Sequence, residues 1–176
     1  MPERLTPAPP TPERTELLAK MLHSANGKPL NVFTVLAHNT TVLRRLGALG
    51  GTLTNSGRIG PVDRETVILR VSARLGCDYE WHHHIGQGRD AGLSDEDIGR
   101  LREEISVTGG RLGLLATMTD EVLDGGGFAD TTWARLRSTF HDEQLVELIV
   151  LVGFYQLLAA FIRSAGVPVD ESGARP

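Results

Sequence analysis

Apolar residues along most of the chain recur every three or four positions, the spacing that buries one face of an α-helix. Stretches with this spacing are separated by glycine, proline, asparagine or serine, residues that often begin or end helices. No run of alternating apolar and polar residues is long enough to predict a β-strand. The pattern therefore predicts an all-α helical bundle. Its expected helices span Glu13–His23, Asn31–His38, Thr40–Leu53, Val62–Leu75, Asp78–Ala91, Asp95–Glu104, Arg111–Asp124, Thr132–Phe140 and Asp142–Ser164.

The two ends of the chain lack this periodicity. Five of the nine prolines fall within the first twelve residues, so residues 1–11 are expected to form a mobile arm. The helical pattern fills residues 12–166, a length that suits a single all-α domain. Gly166 and Pro168 end the last helix, and residues 167–176 are expected to form a flexible tail.

The last expected helix is apolar on nearly every side between Leu145 and Ile162. A membrane-spanning helix needs about 20 apolar residues, and this stretch is interrupted by Glu147, Gly153 and Gln156. We therefore expect it to be buried at the centre of the domain or between subunits, and not to cross a membrane. Because 176 residues cannot easily surround such a helix, a homo-oligomer is expected.

The charge balance argues against a nucleic-acid or membrane partner. Eighteen lysines and arginines against 22 aspartates and glutamates give a net charge of −4, whereas binding to polyanions favours a basic excess. The single cysteine excludes an intrachain disulfide and any Cys-x-x-Cys redox pair, and it fits a reducing compartment. No signal-peptide pattern is present, so a cytoplasmic location is expected.

Glu65 is the first candidate for chemistry. On a helical wheel, Asp63, Thr66, Arg70 and Arg74 share a face that is expected to point to water, and Glu65 lies in the opposite, apolar arc. A buried carboxylate is costly unless it is paired or protonated, and burial raises its pKa toward the range of a general acid or base. The alternative is a structural role, in which Glu65 binds backbone N–H groups or pairs with a buried arginine.

The next expected helix begins at the only cysteine and supplies further reactive side chains. Cys77, Glu80 and His84 lie at i, i+3 and i+7, which forms one stripe. A carboxylate and an imidazole four residues apart can orient each other and tune each other's protonation. Cys77 lies near the helix N-terminus, where the dipole is expected to lower the thiol pKa. His82 and His83 point away from the stripe, and each is expected at the surface or at a subunit interface.

This pattern resembles the carboxymuconolactone decarboxylase and alkylhydroperoxidase-D-like superfamily. The resemblance rests on Glu65, on Cys77 twelve residues later, and on Glu80 and His84 three and four residues further on. The runs ILRVSARLGCDYEWHHH, GLSDEDIGRL and TTWARLRSTFHDEQLVELIVLVGFYQLLAAF extend it over most of residues 30–164. It implies a helical bundle of the alkylhydroperoxidase-D-like type that assembles into trimers or hexamers.

The sequence departs from the peroxidase members of this superfamily at one position. Those members carry two cysteines, of which the first resolves and the second attacks the peroxide. Cys77 holds the first position and Glu80 replaces the second, so a two-cysteine catalytic disulfide cannot form within the chain. The decarboxylase members act without a cofactor on a lactone acid. The resemblance therefore implies acid–base roles for Glu65, Glu80 and His84.

Three functions remain open on these grounds. The first is a cofactor-free acid–base enzyme acting on a small lactone or carbonyl acid. The second is a thiol peroxidase with Cys77 as its catalytic residue and an external resolving thiol. The third is a ligand-binding or assembly protein of the same fold. No metal is expected, because no second histidine motif with ligand spacing accompanies the cluster. The candidates for the substrate pocket are Trp81, His83, Trp133 and Tyr155.

Overall fold

A computed structural model describes residues 2–24, 26–103, 109–125 and 127–170. Within these ranges the chain is helical, and its only β-type pairing is an isolated bridge between His23 and Pro29. The all-α prediction is confirmed. The described residues form nine helices: α1 (Pro12–Leu18), α2 (Asn31–Leu36), α3 (Thr40–Asn55), α4 (Pro61–Arg74), α5 (Asp78–Ala91), α6 (Asp95–Arg102), α7 (Gly110–Leu123), α8 (Asp130–Thr139) and α9 (Asp142–Ala165).

Local signals in the sequence set most of the helix ends. The Ser94 hydroxyl accepts a hydrogen bond from the backbone N–H of Asp97, and the Asp97 carboxylate accepts one in return, a capping box that begins α6. Helix α1 is shorter than expected and ends at Leu18 instead of His23. The chain after α1 turns back on itself instead, and the His23–Pro29 bridge closes this turn.

Helix α4 lies at the centre of the domain and is buried on most sides, including Asp63, Thr66 and Arg70 of the face expected to point to water, whereas Arg74 of that face is exposed. The Arg70 guanidinium donates to both oxygens of Asp120 on α7, at 2.8 and 2.6 Å. Arg111 of α7 pairs in the same two-pronged way with Asp63. The expectation was wrong because α7 supplies paired charges from about fifty residues along the chain, which a helical wheel cannot show.

Helix α9 packs against α4 and α7 along one side and leaves an apolar stripe exposed on the other, at Val146, Val150 and Leu157. Among the described residues it is the one helix long and apolar enough to cross a membrane, and half of its most apolar window is buried inside the domain. The burial expected for this helix at the domain centre is therefore found on one side of α9 only. The exposed stripe is the surface that the expected homo-oligomer would cover, and the oligomer stays a prediction.

The proline-rich first residues, 1–11, lie against the domain where they are described. The backbone N–H of Arg4 donates to the carbonyl of Ala165 at 2.9 Å, and that of Ala8 donates to Thr34. These carbonyls belong to the last turns of α9 and α2, which leave their C=O groups without partners inside the helix. An extended segment supplies the missing donors, which corrects the picture of an arm free of the domain.

The segment after α9 also differs from expectation. Val167 and Asp170 are buried, so the first part of the expected flexible tail, residues 167–170, packs into the domain. The reason is that the Asp170 carboxylate accepts hydrogen bonds from α2 and α5. The remainder of the expected tail, residues 171–176, lies outside the described residues.

Candidate active site

Glu65 of α4 and His84 of α5 face each other in the interior. The two helices are joined by three residues, where Gly76 has a φ of 58°, a conformation that favours glycine. Nδ1 of His84 lies 2.8 Å from Oε2 of Glu65, and both side chains are buried. The other carboxylate oxygen of Glu65 accepts a hydrogen bond from Nε of Arg64 at 3.1 Å. Glu65 is thus held between a histidine and an arginine.

Each member of this pair stabilises the charged form of the other. Burial alone would raise the pKa of Glu65, but hydrogen bonds and positive charges from His84 and Arg64 outweigh it and lower this pKa. Burial alone would lower the pKa of His84, but the hydrogen bond and charge of Glu65, with the charge of Glu80, raise it. The raised pKa expected for Glu65 is therefore wrong, because the sequence pattern did not supply its cationic neighbours.

The carboxylic acid with a raised pKa is Glu80. Its Oε2 lies 3.5 Å from Nε2 of His84, and burial raises its pKa although the charge of His84 opposes the shift. The hydroxyl of Tyr155 lies 3.3 Å from the same Nε2. Burial, together with the charges of Glu80 and Glu65, raises the pKa of Tyr155 well above its usual value. The structure therefore brings a carboxylate, an imidazole, a carboxylic acid and a phenol together.

A cavity of about 540 Å³ opens beside these groups. Its two walls differ in polarity. One wall is polar and comes from α4, α5 and α9, with the side chains of Arg64, Glu80, His83, His84, Gln87 and Tyr155. The other is mainly apolar and comes from α2, α3, the residue before α2, and α9, with the side chains of Leu30, Phe33, Leu36, Leu46, Phe154 and Leu158.

A second histidine–carboxylate pair lies next to the first on α5. Nε2 of His83 is 3.1 Å from Oδ2 of Asp170, which also accepts a hydrogen bond from the Tyr79 hydroxyl at 2.6 Å. The Asp170 carboxylate further accepts from the backbone N–H of Asn31 at 3.0 Å. Burial lowers the pKa of His83 although the charge of Asp170 opposes it. Nδ1 of His83 is buried with no hydrogen-bond partner among the described residues.

His83 was expected at the surface or an interface and was also a candidate for the substrate pocket; the structure buries it at the cavity wall, which agrees with the second expectation and not with the first. Arg64, Tyr79 and Asp170 were missed. Arg64 adjoins Glu65 in sequence, and Tyr79 precedes His83 by one helical turn, so both had a local signal. Asp170 had none, because it follows the last helix in a segment without periodicity.

Cys77 does not share this cavity. It precedes α5 directly, is 1% exposed, and packs among the apolar side chains of α2 and α9, outside the described lining of the cavity. Burial raises the pKa of its thiol to about 11. The lowered pKa expected from the helix dipole is therefore wrong, since the cost of burying a thiolate outweighs the dipole at this position.

The two tryptophans also lie away from the cavity. Trp81 packs against the apolar cluster of α4 and α6, with the guanidinium of Arg102 5.2 Å from its ring. Trp133 of α8 stacks on Phe128 and is 41% exposed. The expectation that they line a pocket is not met in the structure, because α5 and α8 turn these rings elsewhere. Tyr155 does line it.

A metal ion at the polar wall would need several His, Cys, Asp or Glu side chains around one point. Among the residues that the structure describes, no group of three or more His, Cys, Asp or Glu side chains is placed to hold a metal ion. In His84, Nδ1 is already hydrogen-bonded to Glu65, which leaves Nε2 as the atom that faces Glu80 and Tyr155. The absence of a metal or cofactor stays a prediction from the sequence.

Comparison with protein families gives a match over the segment that carries the cluster. Residues 41–117 match the carboxymuconolactone decarboxylase family, and this segment contains Glu65, Cys77, Glu80 and His84. Comparison with curated proteins gives no significant match.

Several solved structures share the fold. A peroxidase-related protein from Silicibacter sp. TM1040 aligns with a TM-score of 0.78 at 17% identity, over 93% of this chain and 88% of that one. The alkylhydroperoxidase AhpD core protein from Ralstonia eutropha JMP134 gives 0.72 at 19%, over 82% and 79%. The debrominase Bmp8 gives 0.75 at 12%, over 95% and 92%. At such identities the likeness shows the fold.

The family match and the fold agree with the motif in the sequence. The matched segment spans the centre of the domain and both helices of the Glu65–His84 pair, and the structural likeness extends over most of the chain. Residues 41–117 are therefore similar to the carboxymuconolactone decarboxylase family, and the chain shares the all-α fold of alkylhydroperoxidase-D-like proteins.

Proposed function

We propose that the protein is a cofactor-free acid–base enzyme that acts on a lactone or carbonyl acid, with decarboxylation as its reaction. The observation that carries this proposal is the pairing of His84 with Glu65 at 2.8 Å beside a buried Glu80, at the polar wall of the cavity. A charged imidazole and a protonated carboxyl close together are what proton transfer to carbon requires.

The reaction assigns one role to each group. Cleavage of the C–C bond to the carboxylate releases CO₂ and leaves the electron pair on the substrate as an enolate. The imidazolium of His84, held by Glu65, stabilises the developing oxyanion from Nε2. Glu80 gives its proton to carbon and regains one from water, so the overall reaction consumes one proton. The Tyr155 hydroxyl, 3.3 Å from the same Nε2, donates a second hydrogen bond to the oxyanion.

The position of Cys77 supports acid–base chemistry over the thiol peroxidase alternative. Thiol chemistry requires an accessible thiolate. Cys77 is buried among apolar side chains, and its thiol pKa is raised to about 11. Glu80, which occupies the place of the attacking cysteine of peroxidase members, lies instead at the cavity wall.

The test is an assay with carboxymuconolactone and a panel of related lactone and β-keto acids. The reaction is monitored by measuring CO₂ release and by NMR of the product formed in D₂O. We expect turnover with one deuterium added at carbon. Glu80→Gln and His84→Ala should each lower kcat about 100-fold or more, and Cys77→Ser should remain within about twofold of the wild type. Thermal unfolding of each variant controls for loss of the fold.

Two outcomes would overturn the proposal. Turnover of a hydroperoxide that disappears in Cys77→Ser, with a sulfenic acid on Cys77, would establish the thiol peroxidase instead. Tight binding of a panel acid without reaction or deuterium exchange, equally in the wild type and Glu80→Gln, would establish a ligand-binding protein.

A further inference from the structure

The apolar wall of the cavity is built to leave space. Helix α3 contributes Gly47, Gly50 and Gly51 to the lining. Gly47 lies one helical turn before the adjacent Gly50 and Gly51. Glycine inside a helix costs about 0.5–1 kcal/mol relative to alanine. A Cβ at Gly51 would meet no described atom nearer than 4.0 Å, so the cavity beside it is unfilled. A Cβ at Gly47 or Gly50 would instead come within 3.0–3.1 Å of Met21 or Phe154, so Gly51 is the position where a larger residue would narrow the cavity.

The volume exceeds what a small lactone acid fills. About 540 Å³ lies within the roughly 300–1,000 Å³ typical of sites for drug-sized ligands. The space next to the polar wall accommodates the reacting group, and the rest is bordered by Leu30, Phe33, Leu46 and Phe154. A substrate with a small polar body would leave this apolar surface in contact with water, which forfeits the free energy of burying it.

The polar wall carries few positive charges for an acid to bind. Among the described lining residues the permanent cations are Arg64 and Lys20, and Lys20 is exposed and paired with Glu16. Arg64 and His84 together face one carboxylate, Glu65, in the interior. The remaining positive charge suits one carboxylate group, and a second would be buried without a partner.

We infer that the substrate is a monocarboxylate with a large apolar body, which places its acid group at the polar wall beside Arg64 and His84 and its body along the apolar wall beside Gly51 of α3. This inference rests on the proposed function, because the same polar wall carries out the reaction. It differs in size from the small lactone or carbonyl acid expected from the sequence. A doubly charged acid or a short one is therefore expected to bind less tightly than a long monocarboxylate.

The test uses acids that cannot react. Isothermal titration calorimetry with butanoate, heptanoate and decanoate, and with the α,ω-dicarboxylates of the same lengths, measures binding alone. We expect the Kd to fall at least tenfold from four to seven carbons and again to ten, with about fourfold per methylene as the ceiling. The ten-carbon dicarboxylate should bind at least tenfold more weakly than decanoate.

Substitutions on α3 locate the body of the ligand. The series Gly51→Ala, Gly51→Leu and Gly51→Phe should weaken decanoate binding progressively, up to about 100-fold, with little effect on butanoate. Leu49→Phe is the matched control, since Leu49 is exposed on the same helix and outside the described lining. If the phenylalanine variant fails to fold, the alanine and leucine variants still give the trend.

Three results would overturn the inference: affinity that does not change with chain length, dicarboxylates that bind as well as monocarboxylates, or equal effects of Gly51→Leu and Leu49→Phe. Its failure is distinguishable from failure of the proposed function. Turnover of a small lactone diacid together with flat binding would refute this inference only. Length-dependent binding together with no turnover of any acid would refute the proposed function only.

Discussion

His83 and His84 are neighbours on α5, each is buried, and each lies against a carboxylate, yet their pKa values shift in opposite directions. His84 contacts Glu65 at 2.8 Å and has Glu80 nearby, and its pKa is raised. His83 contacts Asp170 at 3.1 Å, and burial lowers its pKa. The sign is therefore not set by having a carboxylate partner.

The difference comes from the other charged groups around each ring. Burial lowers the pKa of His83, the charges of His82 and His84 add to this effect, and Asp170 alone opposes them. At His84, the hydrogen bond of Glu65 and the charges of Glu65 and Glu80 outweigh burial. Glu65 directs Oε2 to His84 and Oε1 to Arg64. The contact between Glu65 and His84, at 2.8 Å, is shorter than the 3.1 Å contact between Asp170 and His83. The pair at Asp170 therefore contains a histidine with a lowered pKa, and the pair at Glu65 contains one with a raised pKa beside the cavity.

The largest effect is expected from Glu65→Gln. Loss of the carboxylate charge should lower the pKa of His84 and reduce kcat about 100-fold or more, because the imidazolium that stabilises the oxyanion is lost. NMR titration of the His84 ring gives the pKa without requiring a substrate. Asp170→Asn is the matched control and should leave the pKa of His84 unchanged. An unchanged His84 pKa in Glu65→Gln would contradict the assignment.

The next effect concerns stability and the other pair. Asp170→Ala leaves the Tyr79 hydroxyl, the His83 ring and the Asn31 N–H without their acceptor, so the free energy of unfolding should fall by about 2–4 kcal/mol. Urea unfolding measures it. Asp90→Ala, at an exposed carboxylate of α5, should change it by less than about 0.5 kcal/mol. Equal effects of the two variants would show that the Asp170 network contributes nothing.

Glu80 allows a smaller test through pH. Because burial raises its pKa, the folded protein binds the Glu80 proton more tightly than the unfolded chain does. Its contribution to stability is therefore lost as the pH rises from the unfolded value, about 4.3, through the folded one. Glu80→Gln cannot ionise, so its melting temperature should exceed that of the wild type by about 2–4 °C at pH 8 and by little at pH 4. A constant difference across this range would contradict the raised pKa.

The contrast between the two pairs also shows what the sequence could predict. Glu65 in an apolar arc, and Glu80 and His84 one turn apart, follow from helical periodicity alone, and the structure brings these three side chains together. Ser94 and Asp97 likewise begin α6 as their spacing indicates. These features depend on residues within about one or two helical turns of one another, where helix geometry is fixed.

Features that depend on distant residues were not predictable in the same way. Arg70 is buried because Asp120 reaches it from α7, and His83 is buried because Asp170 reaches it from beyond α9. Local sequence patterns predict that Arg70 faces water and that Asp170 lies in a flexible tail. The pairing of buried charges depends on which helices meet, and that information is spread over the whole chain.

Cys77 completes the comparison, since it directly precedes the same helix and burial again decides its ionisation. A thiol pKa of about 11, two pH units above the usual value, lowers the thiolate fraction near neutral pH about 100-fold. Iodoacetamide should therefore label Cys77 at least that much more slowly than an exposed cysteine introduced by Ser138→Cys in the Cys77→Ser background. Equal labelling rates would indicate a reactive thiolate at Cys77 and would favour thiol chemistry. Burial would then not suppress the charged form of Cys77, whereas it does disfavour the charged form of His83.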